Sequence, residues 1–220
     1  MLDQVLSIVA PHPCSGCGEL GALLCPHCKY DIISEHESRC LVCLAPSATG
    51  ICRRHRLPYQ KAWFVGERNG ALQRVIGNFK FNNAKAAAIT LADLIDQTLP
   101  DLPRDVIVVP VPTVSSHIRE RGYDHALLIA KAFAKSRKLK VESTLSRLTS
   151  TKQRSAGKTV RRQQARHAFE LQRPVDDTAT YLLIDDVFTT GATIEYAARL
   201  LQAAGAKKIW VAAIARQTLD

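Results

Sequence analysis

The sequence predicts a chain of two unlike parts: an α/β domain built on a parallel sheet, preceded by a small cysteine-rich module. Three observations support this. All seven cysteines fall between residues 14 and 52, and none follows. After Pro58, strand-length apolar runs alternate with segments of helical periodicity. The runs themselves, such as 106-VIVVPV-111 and 182-LLI-184, are nearly continuous in apolar residues, as strands covered on both faces are.

The chain has 220 residues, 46% of them hydrophobic and 23% charged, which is enough apolar surface for a globular fold. Thirty Lys and Arg against twenty Asp and Glu leave a formal charge of +10. Such a surplus favours anionic partners, phosphate-bearing metabolites or nucleic acid, and says nothing about fold. No run approaches the ~20 apolar residues of a membrane span. The opening 1-MLDQVLSIVA-10 has Asp3 where a secretory leader carries Lys or Arg, so it predicts a short amphipathic helix and a cytoplasmic protein.

The cysteines form four knuckles: 14-CSGC-17, 25-CPHC-28, 40-CLVC-43 and 52-CRRH-55. A C-x-x-C turn presents two thiolates to one metal from the same side, and a second such turn completes a tetrahedron. Cys14, Cys17, Cys25, Cys28, Cys40, Cys43, Cys52 and His55 thus make two four-ligand zinc sites. Sequential pairing gives two compact ribbons, and interleaved pairing is the alternative. Residues 11–58 contain one Tyr and no Phe or Trp, so metal substitutes there for an apolar core. Closed tetrahedral sites are structural. With Arg53, Arg54 and Arg56 at its basic edge, the module reads equally as a nucleic-acid or protein binder and as a stabilising appendage.

The larger part, residues 59–220, begins with a strand at 61-KAWFVGE-67. A helix from Ala71 to Phe81 follows, with Leu72, Val75, Ile76 and Phe79 at helical spacing. A second helix runs from about Ala84 to Thr98 and is stopped by Pro100. Then come the strand 106–111, a helix from about Tyr123 to Ser136 and a short strand near Val141 to Leu148. After a polar stretch to Arg166 follow the strand 180-TYLLIDD-186, a helix from about Thr193 to Ala204 and the strand 208-KIWVAAIA-215. From Arg147 to Arg173 there are eight basic residues against Glu170 alone. That segment reads as a loop closing over a substrate, as a track for nucleic-acid phosphates, or as a solvated linker.

In open α/β sheets ligands bind at the loops beyond the carboxyl ends of the strands. Two such loops stand out. In 182-LLIDDVFTTGAT-193 the strand delivers Asp185 and Asp186, and Thr189, Thr190, Gly191, Ala192 and Thr193 lie where a helix begins. A helix start offers unpaired N–H groups and partial positive charge to a phosphate. Carboxylates would repel that phosphate, so they suit the vicinal hydroxyls of an attached ribose. An Asp pair holding Mg²⁺ and a simple capped turn are the other readings. The second loop, 113-TVSSHIRERGYDH-125, brings Arg119 and Arg121 towards polyanionic chemistry.

The run 182-LLIDDVFTTGAT-193 resembles the phosphoribosyl-pyrophosphate motif of type I phosphoribosyltransferases. The four knuckles, 79-FKF-81, the segment from 110-PVP-112 to 121-RGYDHALLIA-130, Gln153, Arg161 and 168-AF-169 together resemble the ComF family over nearly the whole chain. The resemblance implies a double zinc ribbon before a type I phosphoribosyltransferase-like domain. By it, Asp185 and Asp186 contact the ribose hydroxyls and the Thr189–Thr193 loop holds the 5-phosphate. It also implies that Arg119 and Arg121 face the pyrophosphate, with Mg²⁺ accompanying phosphoribosyl pyrophosphate. The family is associated with uptake of transforming DNA in competent bacteria, which implies single-stranded DNA and other uptake proteins as partners. Where the family reads R-G-F-N-Q, this chain has Arg121, Gly122, Tyr123, Asp124 and His125; Asp124 suits a helix N-cap instead.

Overall fold

A computed structural model describes residues 12–34, 38–81, 86–147 and 169–217. The helix expected at 1–10 and residues 148–168 of the basic segment lie outside the described residues. The main sheet has five parallel strands in the order β1 (Lys61–Glu67), β7 (Lys208–Arg216), β6 (Thr180–Phe188), β2 (Val106–Pro110) and β3 (Lys140–Val141). Alternation along β6 feeds two cores. Leu182 and Ile184 face one layer, and Tyr181 and Leu183 face the other.

The first layer holds three helices: α2 (Gly70–Phe81), α3 (Ala87–Thr98) and α5 (His125–Arg137). Leu72, Val75, Ile76 and Phe79 form the buried stripe of α2, as their spacing predicts. Asp124 caps α5, its carboxylate accepting the Leu127 N–H at 3.1 Å. The second layer is α6 (Ala192–Ala203), which buries Ile194, Ala197, Ala198 and Leu201. The crossover leaving β2 therefore packs on one face and the crossover leaving β6 on the other, so adjacent strands send their loops apart.

Three local features differ from the sequence expectation. The strand expected at 141–148 is two pieces. β3 joins the main sheet, whereas β4 (Leu145–Arg147) pairs antiparallel with β5 (Phe169–Leu171), Arg147 opposite Phe169. Arg147 and Phe169 are thereby held opposite each other at the end of that ladder. The loop after Val111 contains a short helix, α4 (Ser115–Arg121). The second knuckle opens a helix, α1 (Pro26–Ser34), with proline in the first-turn position where a missing N–H costs nothing.

The cysteine module straddles the β1 edge of the sheet. Its first half joins the α2–α3 layer through Cys14, Leu24 and Cys28. Arg74 of α2 donates to the Ser15 carbonyl at 2.5 Å and the Gly16 carbonyl at 3.3 Å, and Lys29 pairs with Asp93 at 2.5 Å. The second half packs on the opposite face. Leu41 is fully buried there, and Arg216 donates to the Leu41 and Val42 carbonyls, both at 2.9 Å. The Ala62 N–H donates to Thr49 O at 2.8 Å, closing part of the free edge of β1. Gly50 makes this approach possible, because a Cβ there would lie 1.7 Å from the Ala62 carbonyl oxygen. Among the described residues no helix is long and apolar enough to cross a membrane.

The buried Arg216 contact and the partly exposed Lys29–Asp93 pair make unequal contributions. Arg216→Met removes two charged-donor hydrogen bonds and is expected to cost about 2–3 kcal/mol. Lys29→Ala is expected to cost less than about 1 kcal/mol. Urea midpoints of the two variants check this; equal losses would contradict it.

Candidate functional site

The crevice follows from strand lengths. β2 pairs with β6 from Val106 opposite Thr180 to Pro110 opposite Ile184, with one further bond from the Val111 N–H to the Ile184 carbonyl. β7 stays paired with β6 as far as Phe188 opposite Arg216. Asp185 and Asp186 therefore sit where β6 has lost its β2 neighbour but is still held by β7. The strand does not end at Asp186 as its sequence suggests; it continues for two residues beyond.

The two carboxylates have different surroundings. Asp186 pairs with Lys80 from the last turn of α2 at 2.7 Å, each side chain only 15% exposed. Asp185 accepts the Asp186 N–H at 2.8 Å, and Arg147 of β4 is its nearby cation from the other layer. Burial first, and then the charge of Asp186, push the Asp185 carboxyl up to about 8, against partial relief from the Asp186 N–H and Lys80. Burial likewise lowers the Arg147 guanidinium, opposed by Asp185.

Beyond Phe188 the chain turns through exposed Thr189 and Thr190 into Gly191, which has φ 76° and precedes α6. A Cβ at residue 191 would lie 2.5 Å from the Phe188 ring in a left-handed backbone, so two separate constraints require glycine. No side chain caps α6 at Gly191. Ala192 is exposed and Thr193 partly so, and the Ala192 N–H is only weakly bonded to the Thr190 hydroxyl at 3.4 Å.

Across the crevice, α4 presents Arg119 and His117 as exposed side chains, while Arg121 is partly buried. Arg121 lies with its guanidinium carbon 5.2 Å from the Phe81 ring centre and Nη1 3.5 Å from His125 Nδ1. His125 is buried edge-on against Phe79, with ring centres 4.7 Å apart. Burial lowers its pKa, with Arg121 and Lys80 adding to the shift and Asp186 opposing it. Asp124 is occupied locally, accepting from the Thr113 hydroxyl at 3.0 Å as well as capping α5. Sequence reasoning missed Lys80 and Arg147 as neighbours of the acidic pair. Both come from remote elements, and the only local hint was a lysine set between two phenylalanines.

The eight metal-type residues gather as two tetrads, Cys14–Cys17–Cys25–Cys28 and Cys40–Cys43–Cys52–His55, with ligand atoms within 4.8 Å of one another in each. The grouping is sequential. A Zn–S bond of about 2.3 Å separates the sulfurs of a tetrahedron by about 3.8 Å. Cys17 and Cys25 Sγ are 3.8 Å apart, and Cys43 and Cys52 Sγ are 3.6 Å apart. His55 turns Nδ1 inward, 3.2 Å from Cys52 Sγ and 3.6 Å from Cys40 Sγ. The residues present fit two closed zinc sites. Burial raises the Cys14 and Cys40 thiols, but backbone N–H groups outweigh it and bring each down to about 6. The two halves are thus built alike around their first cysteine.

The Asp185 environment has a consequence for stability. Its native pKa lies above the unfolded value of about 4, so between about pH 4 and the native value of about 8 the folded state holds the extra proton. Stability contributed at Asp185 therefore falls as pH rises through that window. Asp185→Asn is expected to exceed the wild-type urea midpoint by a margin that grows from pH 4 to 8 and then levels off. A margin independent of pH would contradict this.

Residues 124–218 match the phosphoribosyl transferase domain family. Competence protein F of Haemophilus influenzae is 26% identical over 215 residues, covering 92% of this chain and 90% of that protein. DNA utilization protein YhgH of Salmonella typhi is 28% identical over 220 residues, covering 88% and 96% respectively. Competence protein ComFC of Bacillus subtilis is 26% identical over 192 residues, covering 81% and 77%. The chain is thus similar along most of its length to proteins named for competence and DNA utilization, and over residues 124–218 to the phosphoribosyl transferase domain family.

Proposed function

We propose that the crevice between β2 and β6 binds phosphoribosyl pyrophosphate with Mg²⁺. The observation that carries this reading is the uncapped start of α6 at Gly191, five residues beyond a carboxylate pair at the point where β6 loses β2. The Ala192 and Thr193 N–H groups and the hydroxyls of Thr189, Thr190 and Thr193 suit the 5-phosphate. Asp185 and Asp186 suit the ribose hydroxyls, each carboxylate accepting a donor. Arg119 and Arg121 of α4 supply positive charge on the pyrophosphate side. Asp186 is already engaged by Lys80 and Asp185 by a backbone N–H, so Mg²⁺ is expected to be held chiefly by the oxygens of the diphosphate. Bound there, Mg²⁺ would neutralise charge on the pyrophosphate.

Titration calorimetry with phosphoribosyl pyrophosphate and Mg²⁺ tests the reading. Wild type is expected to bind, and Gly191→Val to bind at least tenfold more weakly because Val can adopt neither the backbone nor the contact with Phe188. Absence of heat with wild type would overturn it.

A second reading is favoured by a separate observation: Arg53, Arg54 and Arg56 are all exposed on the second half of the cysteine module. With relatives named for competence and DNA utilization, we infer that this edge contacts single-stranded DNA. Neutralising the three arginines is expected to weaken binding of a dT oligonucleotide. It should also flatten the dependence of log K on log salt by roughly 2, at about 0.7 per phosphate contact. A gel-shift titration indifferent to these charges would remove this reading.

A further inference from the structure

The two cysteine tetrads repeat one backbone pattern. The Gly18 N–H donates to the Cys14 carbonyl at 2.9 Å, and the Leu44 N–H donates to the Cys40 carbonyl at 2.8 Å. The Cys14 and Cys40 N–H groups donate to the Glu19 and Ala45 carbonyls, both at 2.8 Å. The first sulfur of each tetrad also collects three backbone donors. Cys14 has the N–H groups of Gly16, Cys17 and Cys25, and Cys40 has those of Val42, Cys43 and Cys52. In the first set the Gly16 nitrogen lies 3.4 Å and the Cys25 nitrogen 3.3 Å from Cys14 Sγ.

One feature lies outside that repeat and still matches in both halves. Arg74 belongs to α2 and Arg216 to β7, two unrelated elements. Each nevertheless places Nε on the first middle carbonyl of a knuckle and Nη2 on the second. These are Ser15 O and Gly16 O for Arg74, and Leu41 O and Val42 O for Arg216. A carbonyl and the N–H that follows it form one conjugated group. The Ser15 carbonyl is thus joined to the Gly16 N–H, and the Gly16 carbonyl to the Cys17 N–H. Both peptides that Arg74 engages therefore give their N–H to the Cys14 sulfur. Arg216 engages the corresponding two peptides, whose Val42 and Cys43 N–H groups serve Cys40. A charged donor on the carbonyl polarises the amide and strengthens the hydrogen bond its N–H makes.

Charge points the same way. The thiolate is the form that binds metal, so Zn²⁺ with three thiolates and an imidazole keeps one net negative charge, and with four thiolates two. Arg216 is buried, pairs with no carboxylate among the described residues, and has an Nη1 without a hydrogen-bond partner among them. A buried cation with no counter-charge is costly, and a metal–thiolate centre beside it would supply one. We propose that Arg74 and Arg216 are positioning residues for the two metal sites, each acting through two peptide groups on the N–H donors of the first thiolate. The metal affinity of the cysteine module is then set partly by the α/β domain, through one arginine for each site. The proposal rests on the tetrads holding zinc and is independent of the phosphoribosyl reading.

The test uses the full chain loaded with zinc. Elemental analysis of wild type is expected to give two zinc ions per chain, one for each tetrad; a chain without them would overturn the zinc reading and the proposal together. Competition with a chelator then gives an affinity for each site, and cadmium-113 resonances tell the four-sulfur site from the three-sulfur, one-nitrogen site. Arg74→Met is expected to weaken the Cys14 site about tenfold or more and to leave the Cys40 site at its wild-type affinity. Arg216→Met is expected to do the reverse. Arg74 is exposed, so its variant keeps the fold even if loss of the buried Arg216 does not. In amide spectra of metal-bound Arg74→Met, the Gly16 and Cys17 protons should move upfield, as weakened N–H···S bonds require, while those of Val42 and Cys43 stay. A role confined to packing would not single out those two amides. Arg74→Lys keeps the charge but reaches one carbonyl, and should recover only part of the affinity. Full recovery with lysine, unchanged zinc affinity in Arg74→Met, or equal weakening of both sites would each overturn the proposal.

Discussion

The structure turns on one mismatch: β6 is paired on both sides as far as Ile184 and on one side only from Asp185 to Phe188. A strand held by a single neighbour keeps its backbone rigid while freeing one edge. Two carboxylates can therefore be fixed in position beside an unpaired strand edge. The same mismatch separates the loops, since the crossover from β2 packs on the α2–α3–α5 layer and that from β6 on the α6 layer. The opening between them is what a doubly wound sheet offers at its switch point. Side-chain alternation then sends Asp186 towards Lys80 in one layer and leaves Asp185 with Arg147 from the other.

The cysteine module solves a different problem. A strand at the edge of a sheet needs cover, and β1 is such a strand. The module lies over both faces beside it, each half contributing one or more residues to a core that belongs mainly to the sheet. Metal ligation would fix the knuckles, but the interior that the module lacks is supplied by its host. Its pairing of backbone carbonyls with Arg74 and Arg216 shows the same dependence. Each arginine can reach two carbonyls at once, which a lysine cannot do with one ammonium at a fixed position.

Local patterns were legible in the sequence, and tertiary neighbours were not. The C-x-x-C spacing announces a metal knuckle within four residues, so the four knuckles could be read directly, whereas their sequential pairing came only from the fold. Asp185, Asp186 and the Thr189–Thr193 turn were legible because a strand, a turn and a helix start are consecutive in the chain. The α4 helix was hidden because 115-SSHIRER-121 contains a single large apolar residue, Ile118, and periodicity needs at least two. The break at 142–144 separates β3 from β4, but Val141 and Leu145 are both strand formers, so it left no apolar signature. The continuation of β6 through Asp186 was concealed by the acids themselves, which resemble a strand end. Lys80, Arg121 with Phe81, and Arg147 gather from α2, α4 and β4, and no short window contains them together.

That gathering links the two parts of the chain. The first half of the cysteine module holds α2 through Arg74 and through Asn78, whose amide lies 3.4 Å from the Ser15 hydroxyl. Phe79, Lys80 and Phe81 follow Asn78 directly on the same helix. A helix is stiff over such a distance, so the grip on Arg74 and Asn78 also sets where Lys80 meets Asp186 and where the Phe81 ring stands. Two adjacent carboxylates in a half-covered crevice repel each other, and the cation that offsets this comes from α2 and not from β6. The module therefore supports the charge balance of the crevice from a distance: it fixes the helix whose last turn supplies the lysine.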